Sequence, residues 1–136
     1  MNIAVRYQTR GGNTKAAAEA IAKAANVTAE PIGTPLETPV DILFLGGAVY
    51  AFKLDETLTE YINNLEPDAI KTIAAFSTAG FVSGTNKITA AAKARGLTVN
   101  EKTLALKVGT RTPAKSPPIL TDKQQLKIED FVKSIC

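Results

Sequence analysis

The sequence predicts an α/β protein: a three-layer, doubly wound, five-stranded parallel sheet with helices on both faces. Three observations carry this. Short apolar runs alternate along the chain with segments whose apolar residues recur at helical spacing. Ile42-Leu43-Phe44-Leu45 is a continuous apolar run, the pattern of a strand covered on both faces. Gly11 and Gly12 sit between the first apolar run and the first helical segment, where a βα connection needs a tight turn.

The elements follow in order. Asn2 to Tyr7 is the first strand. An Ala-rich helix runs from about Thr14 to Ala25, with Ala17, Ala18, Ile21, Ala22 and Ala25 on one face. Small side chains there let the helix lie close on a sheet. Val27 to Ile32 is a weaker second strand, and Asp41 to Gly46 the third. Leu54, Leu58, Tyr61, Ile62 and Leu65 form the stripe of a second helix. Thr72 to Ser77 is the fourth strand. Thr85 reads as the N-cap of a third helix and Gly96 as the residue that ends it. Leu97 to Lys107 holds the fifth strand, with Leu104, Leu106 and Val108 at period two. A Pro-rich basic loop, Gly109 to Pro118, precedes a capping box at Thr121-Asp122-Lys123-Gln124. Ile128, Phe131, Val132 and Ile135 are the buried face of the last helix.

One connection is unusual. Eight residues, with Pro35 and Pro39 among them, lie between Ile32 and Asp41. Extended, they reach about 26–29 Å. Returning along a ~17 Å strand while stepping ~10 Å sideways needs about 20 Å. The crossover is therefore a bare loop with no room for a helix.

The chain has 136 residues, the size of one domain, and we read 1–136 as a single one. Its net charge of +3 is mildly basic and does not point to nucleic acid. It contains no His, which excludes imidazole general-base chemistry and His-ligated metals. Its one Cys, Cys136, allows no internal disulfide and no zinc cluster. No metal site is expected. Low Cys usage fits a reducing cytoplasm, the expected location. The uncharged stretch Ile42 to Phe52 is eleven residues, too short to span a bilayer, so no membrane partner is expected.

The stretch most informative about chemistry is Thr9-Arg10-Gly11-Gly12-Asn13-Thr14. Glycines expose backbone N–H groups, and the helix that follows adds its N-terminus, so the segment suits an anion. Thr9, Asn13 and Thr14 add neutral donors and Arg10 a positive charge. The loop is neither a Walker loop nor a dinucleotide fingerprint. A phosphorelay receiver would need acidic residues after the first strand and an Asp ending the third. Tyr7-Gln8 and Gly46-Gly47 stand there instead.

Tyr7 to Thr14 resembles the phosphate loop of flavodoxins, roughly Ser/Thr-x-Thr-Gly-x-Thr. Gly12-Asn13-Thr14 and Thr9 match; Gly11 replaces the middle Thr. Gly46 to Phe52 resembles the loop that meets one edge of the flavin, with Ala48 in place of a frequent Pro. Ser77 to Gly84 resembles the second flavin loop, without the acidic residues usual there. The resemblance covers nearly the whole chain and implies strand order 2-1-3-4-5.

It also implies a noncovalently bound FMN and electron transfer to a redox partner protein. Thr9, Arg10, Gly11, Gly12, Asn13 and Thr14 would hold the phosphate. Gly47-Ala48-Val49-Tyr50 and Thr78-Ala79-Gly80-Phe81 would bind the ring. Tyr50 and Phe81 are the stacking candidates, and backbone groups near Gly47, Ala48, Thr78, Ala79 and Gly80 would meet the ring edge. No residue is expected to serve as a catalytic acid or base. Two other uses of the same frame stay open: an FMN-dependent reductase of a nicotinamide or quinone, and a binding module without flavin.

Overall fold

The computed structural model describes residues 1–9, 12–47, 49–50, 53–78, 83–106 and 120–136, with only the backbone of 49, 50 and 83. The elements are β1 (Ile3–Tyr7), α1 (Asn13–Ala24), β2 (Ala29–Pro31), β3 (Val40–Gly47), β4 (Val49–Tyr50), β5 (Lys53–Leu54) and α2 (Glu56–Asn63). They continue with a 3-10 turn (Pro67–Ala69), β6 (Ile70–Ser77), α3 (Ser83–Ala94), β7 (Leu104–Ala105) and α4 (Asp122–Ile135). Five strands form one sheet in the order β2-β1-β3-β6-β7, and β4 and β5 form a separate hairpin. All four pairings in the main sheet are parallel. With the hairpin set aside, this is the expected 2-1-3-4-5 order.

Period-two alternation divides the core into two layers. Val5, Tyr7, Ile42, Phe44, Ala74 and Phe76 pack under α1 and α4. Leu43, Leu45, Ile73 and Ala75 pack under α2 and α3. The continuous run in β3 thus feeds both layers, as a doubly covered strand must. Phe44 meets Phe131 of α4 edge to face, with centroids 5.8 Å apart.

The crossover from β2 to β3 is the bare loop expected from its length, and β1 holds it in place. Arg6 is buried and donates through Nε to the Thr34 carbonyl (3.2 Å) and through Nη2 to that of Pro35 (2.8 Å). Its Nη1 donates to the Val5 carbonyl at 3.0 Å. Asn2 donates through Nδ2 to the carbonyls of Glu37 and Pro39. The Thr38–Pro39 bond is cis.

Several boundaries differ from the sequence reading, each for a local reason. β2 starts at Ala29 rather than Val27 because α1 ends in a Schellman turn. Asn26 has φ 59°, and the Val27 N–H donates back to the Ala22 carbonyl at 2.8 Å. Gly96, with φ 92°, ends α3 in the same way, as expected. Thr85 is not an N-cap: α3 begins at Ser83, and Thr85 is fully buried inside it. The fifth strand is interrupted. Val99 forms an isolated bridge to Ile73, and the ladder resumes only at Leu104. Between them Asn100 Oδ1 accepts the Lys102 N–H at 2.9 Å, a local turn that competes with the ladder. The capping box at Thr121 and Gln124 is present in both directions. Lys107 to Pro118 lies outside the described residues, as does Val108.

Candidate functional site

β1, β3 and β6 end level with one another. Tyr7 pairs with Gly46, and Gly46 pairs with Phe76. The loops that follow therefore leave the sheet side by side at its carboxyl edge, where ligands bind in open α/β sheets.

The loop after β1 is built around α1. Gly12 is the N-cap residue with φ 90° and ψ −7°, a left-handed conformation that glycine adopts without strain. Its N–H donates to Thr9 Oγ1 at 2.9 Å, and its carbonyl accepts the first helical bond, from the Ala16 N–H at 3.0 Å. Among the described residues no side chain caps the helix, and no acidic residue stands in its first turn. The N–H groups of Asn13, Thr14 and Lys15 have no hydrogen-bond partner among the described residues. A helix start of this kind presents partial positive charge and unused donors to an anion.

The loop after β6 reaches the same place. Thr14 and Thr78, 64 positions apart, share a buried hydroxyl–hydroxyl hydrogen bond of 3.0 Å. The structure thus joins one expected phosphate residue to one expected ring-loop residue through their side chains. Ser77, beside Thr78, is buried, and its carbonyl accepts the Leu106 N–H at 2.8 Å.

The loop after β3 begins on a constrained base. A Cβ on Gly46 would stand 2.1 Å from Cε2 of Phe76, and one on Gly47 would stand 2.3 Å from Cδ2 of Leu58. Gly47 is buried beneath α2, so the need for glycine there comes from packing. Asp55 starts α2 as its N-cap, accepting the Thr57 N–H at 2.9 Å. Val49 and Tyr50 form the first strand of the hairpin, opposite Leu54 and Lys53. The remaining expected site residues, Arg10, Gly11, Ala48, Ala79, Gly80 and Phe81, lie outside the described residues.

The sequence reading assigned no role to Gln8. Gln8 is buried, its N–H donates to the Gly46 carbonyl at 3.0 Å, and its Oε1 has no partner among the described residues. Ala4, Arg6 and Gln8 share the face toward α2, so period-two counting could have flagged a polar pair in a buried strand. Among the described residues no three His, Cys, Asp or Glu side chains gather as a metal site, and no helix is long and apolar enough to cross a membrane.

No family model matches the chain, and no curated protein matches it. Solved structures do. Oxidised flavodoxin 2 from Bacillus cereus is 16% identical, with 98% of this chain and 97% of that one aligned at a TM-score of 0.72. A flavodoxin from the domain Archaea is 19% identical, with 99% and 96% aligned at 0.72. Two-electron reduced Megasphaera elsdenii flavodoxin is 15% identical, with 97% and 98% aligned at 0.60. The fold is the flavodoxin fold, matched over almost its whole length.

Proposed function

We propose that the chain is a flavodoxin-like electron-transfer protein that binds FMN noncovalently, with the phosphate at the first turn of α1. The observation that carries this reading is the unpartnered start of α1 at the carboxyl edge of the sheet. Gly12 turns the backbone there, three N–H groups are free among the described residues, and the Thr14 hydroxyl is held beside them. The likeness to flavodoxins supports it through the fold.

Bound there, the flavin supplies the electron transfer. The chain's own residues do the holding. The N–H groups of Asn13, Thr14 and Lys15 and the Thr14 hydroxyl donate to phosphate oxygens. Thr9 keeps Gly12 in its turn and so holds those donors in place. Tyr50 and Phe81 offer rings for stacking from the other two loops, worth roughly 0.5–1.5 kcal/mol each beyond area burial. With a net charge of +3, the chain suits a redox partner with an acidic docking face, and that complex weakens as salt rises.

Parallel titrations with FMN and riboflavin test the reading. A helix start contributes about 0.3–1 kcal/mol to a nearby anion, up to ~2 when partly buried, and charge-assisted hydrogen bonds add to it. FMN therefore binds more tightly than riboflavin, and Thr14→Ala costs FMN more than it costs riboflavin. Equal affinities remove the phosphate assignment. Absence of flavin binding leaves the binding-module reading, and turnover of a nicotinamide by the loaded protein makes it a reductase.

A further inference from the structure

The crossover from β2 to β3 contains no helix, so near the β2 edge the sheet face turned toward α2 is covered only by a loop. A recess of about 420 Å³ lies there, lined by Ala4, Arg6 and Glu30 from the sheet and by Thr34, Pro35 and Glu37 from the crossover. That volume falls in the range of small-molecule sites. Arg6 and Glu30 are direct partners in the parallel ladder, so their side chains leave the same face. No ion pair joins them: the pairs among the described residues are Lys15 with Glu19 and Arg95 with Glu66. Arg6 is only 7% exposed, and its hydrogen bonds end on the carbonyls of Thr34, Val5 and Pro35. A guanidinium has five N–H donors, so one on each terminal nitrogen is unspent among the described residues. A buried positive charge with spare donors thus shares a recess with two carboxylates and is joined to neither.

We propose that this recess binds a free α-amino acid with a small apolar side chain, held as a zwitterion. Its carboxylate accepts the unspent Arg6 N–H groups, its ammonium donates to Glu30 and Glu37, and its side chain lies against Ala4 and Pro35. Buried charges are costly unless paired, and the ligand carboxylate supplies the pair that Arg6 lacks. A ligand with only a carboxylate is repelled by Glu30 and Glu37, and one with only an ammonium is repelled by Arg6. The arrangement of signs therefore selects a molecule that carries both charges a few atoms apart. α1 packs on the opposite face of the sheet, so the inference stands apart from the flavin reading.

The test uses L-leucine and two analogues that each keep one of its charges, isocaproate and isoamylamine. Binding is followed by amide chemical shifts in NMR titrations of the parent chain, Glu30→Gln and Glu37→Gln. The carboxylates carry the test because Arg6 also holds the crossover. In the parent, leucine is expected to bind at least about tenfold more tightly than either analogue, with shifts centred on Ala4, Arg6 and Glu30. Glu30→Gln should weaken leucine by about three- to tenfold and strengthen isocaproate, since it removes an attraction for one and a repulsion for the other. Glu37→Gln, at an exposed position, should change both in the same directions by less, and it carries the test by itself if Glu30→Gln does not fold. An analogue that matches leucine in the parent overturns the zwitterion site. So do loss of leucine and isocaproate binding together in the variants, unchanged leucine affinity in both, shifts centred on the start of α1, or no binding of leucine up to about 10 mM.

Discussion

The guanidinium of Arg6, buried in the second strand position of the sheet, donates to the carbonyl of Pro35 at 2.8 Å across a crossover that contains no helix. Its other described bonds also end on carbonyl oxygens, those of Thr34 and Val5. A loop with no internal ladder is thus held by a charged side chain reaching from β1. Hydrogen bonds to a charged group contribute about 1.5–3 kcal/mol, and a buried carbonyl left unpaired costs about 1–3. Arg6→Met keeps the stem and removes the donors. Urea unfolding is expected to show a loss of about 2–4 kcal/mol. A loss below about 0.5 kcal/mol would mean that the loop holds its path without Arg6.

Gly46 and Gly47 differ in what a methyl group would strike. At Gly46 it meets the ring of Phe76, a fully buried core side chain; at Gly47 it meets one terminal methyl of Leu58. A ring in a packed core cannot step aside, whereas a Leu terminus can rotate. Overpacking typically costs about 1–3 kcal/mol. Gly46→Ala is expected at or above the top of that range, and Gly47→Ala nearer the bottom. Phe76→Leu should recover part of the Gly46→Ala loss. Chemical unfolding of the three variants and the double variant checks the order.

Gly12 couples stability to binding. Its φ of 90° strains any residue with a Cβ, at about 1–2 kcal/mol. Gly12→Ala should lower the unfolding midpoint by that amount. It should also weaken FMN more than riboflavin, because relief of the strain moves the N–H groups that follow. Fluorescence titration with both flavins reads the second effect separately from the first.

Tyr61 makes high-pH stability predictable in sign. Its hydroxyl is buried without a partner among the described residues. Burial pushes its pKa above the usual tyrosine range, and the nearby positive charge of Arg6 opposes this only in part. The unfolded chain ionises at the ordinary value, about 10, before the folded chain does. The contribution of Tyr61 to stability is therefore fully present below pH ~10 and is lost as pH rises through the folded pKa. Tyr61→Phe is expected to leave stability at pH 7 unchanged or slightly higher, since it removes an unpaired polar group. It should also flatten the fall above pH ~10. A steeper fall in the variant would contradict the assignment.

Much of the fold was legible because its signals are local. The run Ile42 to Leu45 marked the doubly covered strand, Gly96 the end of α3, and Thr121 with Gln124 the start of α4. Each depends on residues within a turn or two of one another. The misplaced boundaries are also local but hinge on competition. Asn26 extended a helical turn into what reads as strand, and the Asn100 side chain, by accepting the Lys102 N–H, turns the chain out of the edge ladder just after the Asn100 N–H has bonded the Ile73 carbonyl. At the site, the glycines between the first strand and the first helix marked a tight turn, and Gly12 makes it with φ 90°.

What the sequence by itself determined is which segments are strands and helices, in what order, and which side of each is apolar, because periodicity and capping act over a few residues. Only the tertiary structure decided which distant groups meet. It brought Thr14 to Thr78, put Arg6 under the Pro35 carbonyl, buried Gln8 beside Gly47, and set Gly46 against Phe76. The physical reason is register. Burial of two apolar layers against one sheet aligns β1, β3 and β6 to the residue, and that alignment, which no short stretch of sequence encodes, fixes these contacts among the described residues.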